Sequence, residues 1–131
     1  MTNEAVLVDR IADPINFGCA DIAMEKGTLV KLSGARDVAA STTSGEVFIG
    51  ITGREKIVGD GRTSVPVFVN GIFRCASLGV VAIGTPVALS GANLIRQAAT
   101  LDVDTGEIIG RALEAGAGED NIEVLLGHGG A

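Results

Sequence analysis

A short stretch of sequence that occurs twice decides the fold expected for this chain. The stretch GTLVKLSG at residues 27–34 recurs as GTPVALSG at residues 84–91, with six of eight positions identical and a displacement of 57 residues. Both copies end in Ser-Gly, which is a turn signal. Chance is a poor explanation for such a match, so we interpret it as part of an internal duplication.

Outside these stretches, further residues match at nearly the same displacement, Cys19 with Cys75 among them. Residues 14–71 and 72–129 are therefore predicted to be two copies of roughly 57 residues each. Solenoids generally need three or more repeats, so we expect the two halves to close on each other as one pseudo-symmetric unit.

The apolar residues within each copy alternate as they do in β-strands. Val65 and Val67 in the first copy, and Ile122 and Val124 in the second, are predicted to face a core. Pro66 lies between the first two, and because proline has no backbone N–H, it predicts an edge strand or a bulge. Nothing in the sequence predicts a long helix. We therefore expect an all-β fold, a compact β-barrel or two-sheet sandwich.

Each copy also carries a glycine in the middle of an apolar strand. Gly50 and Gly110 are displaced by 60 residues, and a small insertion in the turn at residues 102–107 accounts for the larger displacement. Glycine in a strand leaves room for a second backbone. Both glycines are therefore predicted to lie where another segment approaches closely.

The composition indicates a packed protein. Hydrophobic residues make up 47% of the chain and charged residues 20%, which is typical of a folded domain. The 10 basic and 16 acidic residues give a net charge of −6, so we predict no nucleic-acid partner and no membrane partner. The 21 residues from Cys75 to Ile95 carry no charge, but Gly and Pro divide them into strands and turns. Residues 1–10 lack the pattern of a secretory signal.

Few residues are arranged like a catalytic or metal site. His128 is the single histidine and lies in a Gly-rich tail, so neither a catalytic triad nor a histidine metal site is predicted. Residues 102–107 resemble the start of a calcium loop, but the glycine comes one position early, which favours a β-turn. Residues 116–121 lack the third glycine of a dinucleotide-binding loop and precede a predicted strand. We predict no catalytic residue, no metal and no cofactor.

The two cysteines and a small basic cluster have structural interpretations. Cys19 and Cys75 belong to no Cys-x-x-Cys pattern and are predicted to be buried free thiols. Arg54, Lys56 and Arg62 form the basic cluster, for which a solvated loop is favoured over a site for an acidic protein.

The residues before the first copy are predicted to form an N-terminal arm, residues 1–13, on a single β domain at residues 14–131. The arm carries four apolar residues that the duplicated fold does not obviously require, Val6, Leu7, Val8 and Ile11. We predict that these four residues bind a partner, by adding a strand to the edge of a neighbouring sheet. Packing on the arm's own body or on another copy of the chain is the alternative.

The order of glycines and strands resembles that of a known family. In sequence order, the segments that carry the resemblance are GTLVKL from residue 27, FIGI from residue 48, VPVFVNG from residue 65, GTPV from residue 84 and IGRAL from residue 109. Over residues 14–127 this order resembles the small capsid decoration (cement) proteins of tailed phages and prophages.

The resemblance implies a non-enzymatic structural protein of the virion, made in the host cytoplasm. It implies a β-rich homotrimer on the outer surface of an icosahedral head, at three-fold or quasi-three-fold positions, where it clamps neighbouring subunits of the major capsid protein. It further implies an N-terminal arm that engages the capsid. It assigns a role to no single residue.

Two other classes of function stay open at this point. A trimeric β-fold nucleotide-hydrolysing enzyme of the dUTPase kind has similar length and glycine content, but it needs ordered Asp and Ser motifs and usually an aromatic C-terminal closure. A carbohydrate-binding or adhesion module usually relies on Trp or Tyr, and the chain has neither.

Overall fold

The computed structural model describes residues 3–43, 47–98 and 108–127, and these residues form β-strands and no helix. The prediction of an all-β fold is confirmed. The strands are β1 (Val6–Asp9), β2 (Ile15–Cys19), β3 (Leu29–Gly34), β4 (Asp37–Ala40), β5 (Phe48–Thr52), β6 (Ser64–Phe68), β7 (Gly71–Ser77), β8 (Val80–Val81), β9 (Pro86–Gly91), β10 (Leu94–Gln97), β11 (Ile108–Ala112), β12 (Gly116–Ala117) and β13 (Asp120–Leu126).

The strands close into two five-stranded barrels rather than one. Barrel A has the order β2-β4-β3-β5-β6, and barrel B has the order β7-β10-β9-β11-β13 and closes through a β7–β13 pairing. In both barrels the first strand along the chain pairs parallel with the third, while the other pairings are antiparallel. Strand β1 is added to β7, and β8 pairs with β12 outside the barrels.

The two barrels also have matching strand registers. Leu29 pairs with Ile51 in barrel A, and Pro86 pairs with Arg111 in barrel B, which are the residues displaced by 57 and by 60. Superposition of the two halves about a two-fold axis stays a prediction of the duplication hypothesis.

The first strand of each barrel corrects one detail of the sequence alignment. Cys19 pairs with Val38, and the residue in the same position of barrel B, beside Ile95, is Ser77. Cys19 is therefore equivalent to Ser77, and the match of Cys19 with Cys75 is displaced by two residues. The identity of Cys19 and Cys75 is therefore weaker evidence for equivalent positions than the strand pairing is.

Two hydrophobic clusters fill the molecule, and the larger one joins the two barrels. The interior of barrel A holds a small cluster that includes Val30, Val38, Val65 and Val67. Because side chains alternate across a strand, Leu29, next to Val30, faces the other way and joins the core of barrel B. The rings of Phe68 and Phe73 meet edge to face across the junction, with their centroids 5.6 Å apart. The two halves therefore form one packed body.

Strand β6 bears out one expectation and corrects another. Val65 and Val67 are buried as predicted, and Ile122 and Val124 are buried in barrel B. The edge-strand prediction from Pro66 is wrong, because β6 pairs with β2 on one side and with β5 on the other. The β5–β6 pairing ends at Val67, and beyond it the Pro66 carbonyl accepts a hydrogen bond from the Gly53 N–H at 2.9 Å. This contact needs no N–H from the proline.

A buried asparagine fastens barrel B to barrel A. Asn93 lies in the β9–β10 turn with φ = 56°, a left-handed conformation that asparagine tolerates. Its Oδ1 accepts the N–H of Leu29 at 2.8 Å, and its Nδ2 donates to the carbonyls of Gly27 at 2.8 Å and Asn3 at 3.0 Å. We call this set of contacts the Asn93 latch.

Candidate interaction surface

The predicted arm contains a strand that lies on barrel B. Strand β1 runs antiparallel to β7, with Val6 opposite Arg74 and Leu7 opposite Phe73. Strand β13 occupies one edge of β7 from Gly71 to Ser77, so β1 must lie along the other edge, which β10 uses only at Ser77. Strand β1 therefore pairs with the part of β7 that β10 leaves unpaired, and it extends the sheet of barrel B.

The four predicted partner-binding residues remain accessible in this position. Val6, Leu7, Val8 and Ile11 are between 39% and 59% exposed. Leu7 lines a cavity of about 240 Å³ together with Phe68 and Phe73. Val6 shares a face of the sheet with Arg74, because directly paired residues point the same way.

Within residues 3–13, the described part of the arm, the outer edge of β1 is the feature suited to binding a partner strand. β1 is the terminal strand of its sheet, and its outer edge pairs with no other described strand. A free strand edge presents N–H and C=O groups that another strand can pair with. We define the arm surface as this edge together with the exposed side chains of Val6 and Val8.

The beginning of the arm is part of the body. Ala5 is buried, and its N–H donates to the carbonyl of Gly27 at 3.0 Å. The Asn3 carbonyl accepts a hydrogen bond of the Asn93 latch. Residues 3–5 therefore hold β1 in place and also support the junction between the barrels.

The basic cluster does not act as a unit, because Lys56 is fully buried. Its Nζ binds Asp21 Oδ1 at 2.8 Å, Asp60 Oδ1 at 2.9 Å and the carbonyl of Ile57 at 2.9 Å. Arg54 and Arg62 are exposed. The favoured interpretation of a solvated loop is correct for the two arginines and wrong for the lysine, whose three donors are all satisfied by the protein.

This trio of charges, which we call the Lys56 clip, joins two loops. Gly59 and Arg62 add backbone N–H donors to Asp21 and Asp60, at 3.0 and 2.9 Å. The hydrogen bond from Lys56 and then that from Arg62 lower the pKa of Asp60 to about 2. Hydrogen bonds from Lys56 and Gly59 likewise lower the pKa of Asp21, and the two carboxylates raise the pKa of Lys56. Both aspartates are therefore ionised at neutral pH.

The Lys56 clip and the Asn93 latch had only weak signals in the sequence. Asp60 follows Lys56 by four residues, but Asp21 is 35 residues from Lys56, and Asn93 is 64 residues from Leu29. A left-handed turn at Asn93 is suggested by the Gly-Ala-Asn order that begins with Gly91, the last residue of β9. No local pattern indicated what the asparagine would contact.

The thiols lie in different surroundings. Cys75 is buried in the core of barrel B, and burial raises its pKa to about 12. Cys19 is half-buried, and burial is the main cause of its raised pKa. A buried thiol was predicted at both positions, and the structure bears this out fully at Cys75 alone.

The remaining sequence motifs contribute little to a site. Residues 102–107 and His128 lie outside the described part of the chain. Residues 116–121 form β12 and the start of β13, and thus a segment that leads into a strand, as predicted. Within the described ranges no three His, Cys, Asp or Glu side chains are grouped so that they would hold a metal ion. No helix in those ranges has the length and apolar character needed to cross a membrane.

Comparison with known proteins adds no family. The sequence matches no protein-family model and no curated protein.

Proposed function

We propose that this protein is a capsid decoration protein that binds the outer surface of an icosahedral phage head as a homotrimer. In this role it stabilises contacts between subunits of the major capsid protein and performs no catalysis. The proposal follows from the glycine and strand order of residues 14–127, and it places the protein in the virion.

The observation that supports docking is the free edge of β1. An edge strand provides backbone donors and acceptors with which another chain can pair. The exposed Val6 and Val8 add apolar surface beside that edge. We propose that the major capsid protein pairs a strand with the outer edge of β1.

The structure determines how docking should be tested. Deleting the arm would remove buried Ala5 and the Asn3 contact to the latch, so a loss of head binding would be ambiguous. The double variant Val6→Asp with Val8→Asp instead places charge on the exposed edge. It is expected to stay folded and to lose binding to purified undecorated heads, measured by co-sedimentation and by added three-fold density in electron micrographs.

Leu32→Asp is the matched control. Leu32 is 45% exposed, but it lies in β3, which is paired with β4 and β5 and therefore offers no free strand edge. Head binding by the control and not by the double variant supports the arm surface. Equal binding by both variants contradicts docking through β1, and the absence of any binding by the unmodified protein contradicts the decoration function.

A further inference from the structure

Each barrel has a pair of loops at one end, in equivalent positions. Residues 20–27 and 53–63 form what we call the A end, where Met24 and Lys56 exchange two backbone hydrogen bonds of 2.9 and 2.7 Å. Residues 78–85 and 113–119 form the B end, where β8 pairs with β12. The Lys56 clip also fixes the A end. Both pairs of loops are therefore held together by backbone pairing.

Aliphatic side chains are exposed at both ends. Ile22, Ile57 and Val58 at the A end are 62%, 60% and 59% exposed. Val80, Ile83 and Leu113 at the B end are 75%, 68% and 38% exposed. Exposed apolar groups on a fixed backbone favour association, because little conformational entropy is lost when they are covered.

The charges at the two ends distinguish the possible contacts. The A end carries four acidic and four basic side chains, whereas the B end carries no basic side chain and two acidic ones, Glu119 and Glu114, of which Glu114 pairs with Arg74 of β7 at 3.2 Å. Arg54 and Arg62 are exposed at the A end and form no ion pair within the described ranges. Two B ends would bring like charges together, while a B end facing an A end would bring Glu119 near free arginines.

We propose that the B end of one molecule packs against the A end of a second copy of this chain. In this contact Val80 and Ile83 cover Ile22 and Ile57, with Glu119 close to Arg54 or Arg62. The two surfaces differ, so the contact is heterologous, and a pair of molecules joined by it retains one free A end on one molecule and one free B end on the other. Such contacts form a ring where the rotation between copies closes and an open filament where it does not, and the proposed trimer is the closed case.

This inference rests on the proposed function in one respect, since it names the contact through which the proposed trimer would form. It is tested in free solution, without heads. Ile57→Asp blocks the A end and leaves the B end intact, and Val80→Asp does the reverse. Both substitutions are at exposed positions and are expected to preserve the fold, which circular dichroism checks.

Sedimentation equilibrium then separates the arrangements. The unmodified protein and Leu32→Asp are expected to have a mass above that of one chain, and each end variant alone is expected to be monomeric. A mixture of Ile57→Asp and Val80→Asp is expected to form a one-to-one dimer, because it contains one intact A end and one intact B end. Charge reversal provides a second reading: Glu119→Arg weakens association, and combination with Arg54→Glu and Arg62→Glu restores it.

Several outcomes would overturn the inference. A dimer of Val80→Asp alone means that A ends pair with each other, and a dimer of Ile57→Asp alone means that B ends do. A mixture that stays monomeric, or an unmodified protein that is monomeric at its highest attainable concentration, also contradicts it. If heads are decorated but the mixture forms no dimer, the inference alone fails. If the mixture forms a dimer but heads stay bare, only the proposed function fails.

Discussion

Gly50 and Gly110 lie where a second backbone passes too close to their own strand for any side chain to fit. A Cβ on Gly50 would overlap the carbonyl oxygen of Phe68, and a Cβ on Gly110 would overlap that of Leu125. Each glycine follows a register shift in the pairing of its own strand. The prediction that another backbone approaches both glycines is confirmed.

Alanine substitution at these glycines is expected to be costly. Because backbone atoms cannot move aside as a flexible side chain can, Gly50→Ala and Gly110→Ala should each lower the free energy of unfolding by about 3 kcal/mol. Urea denaturation measures the change. Gly91→Ala is the control, since a Cβ there meets no atom within 4 Å, and it should change stability by less than about 0.5 kcal/mol. Equal effects at the three positions would contradict this explanation.

At the scale of elements, the Lys56 clip connects the loop after β2 to the loop between β5 and β6. Its strength depends on ionised carboxylates. The pKa of Asp60 is about 2 in the folded protein, against an ordinary value of 3.8. Between these values the unfolded chain binds more protons than the folded one, so acid favours unfolding there.

The clip is therefore expected to stabilise the protein fully above about pH 4 and to lose its contribution as the pH falls through about 2. Asp60→Asn should be less stable than the unmodified protein at pH 7, and the difference should shrink across this acid range. Urea denaturation at a series of pH values measures it. Asp13→Asn, which neutralises an 87% exposed carboxylate, is the control for the loss of one surface charge and should change stability little at pH 7. A parallel pH dependence for Asp60→Asn and the unmodified protein would be evidence against the clip.

At the scale of the whole molecule, the Asn93 latch holds two barrels in one arrangement. Apolar contacts such as that between Phe68 and Phe73 drive the barrels together, but they are weakly directional. The latch adds three directional hydrogen bonds. In one of them the side chain of Asn93 accepts the N–H of Leu29, so that this buried N–H has a partner. The relative position of the two ends, and thus the geometry of any ring, depends on this junction.

Asn93→Ala is expected to lower the free energy of unfolding by about 3 kcal/mol, since each hydrogen bond contributes about 1 kcal/mol. Alanine also disfavours the left-handed conformation, and this cost must be subtracted. Arg36 provides the control, because it lies in the equivalent turn of barrel A with the same φ of 56° and is exposed. The stability difference between Arg36→Asn and Arg36→Ala gives the backbone cost of replacing asparagine by alanine without a latch, because both variants lose the Arg36 contacts to the Asn16 carbonyl and the Phe17 ring. If Asn93→Ala loses no more stability in urea denaturation than this difference, the latch contributes nothing.

The sequence by itself determined the features that depend on near neighbours along the chain. Alternating apolar residues predicted the strands and the burial of Val65, Val67, Ile122 and Val124, because a pleated strand turns successive side chains to opposite faces. The strand glycines predicted where backbones approach closely. The number of barrels did not follow, because the same alternation fits a single barrel, a sandwich or two barrels.

Only the tertiary structure decided which distant residues meet. In the sequence Lys56 resembles a solvated lysine, but in the structure its side chain binds Asp21, which lies 35 residues away on another loop. In the sequence Pro66 resembles a residue of an edge strand, but in the structure its strand pairs with β2 on one side and with β5 on the other. In the sequence the arm resembles a free segment, but in the structure its strand β1 pairs with the edge of β7 that β10 does not use. In each case the residue's environment comes from segments far away in sequence, whose positions follow from closing the barrels and packing them together.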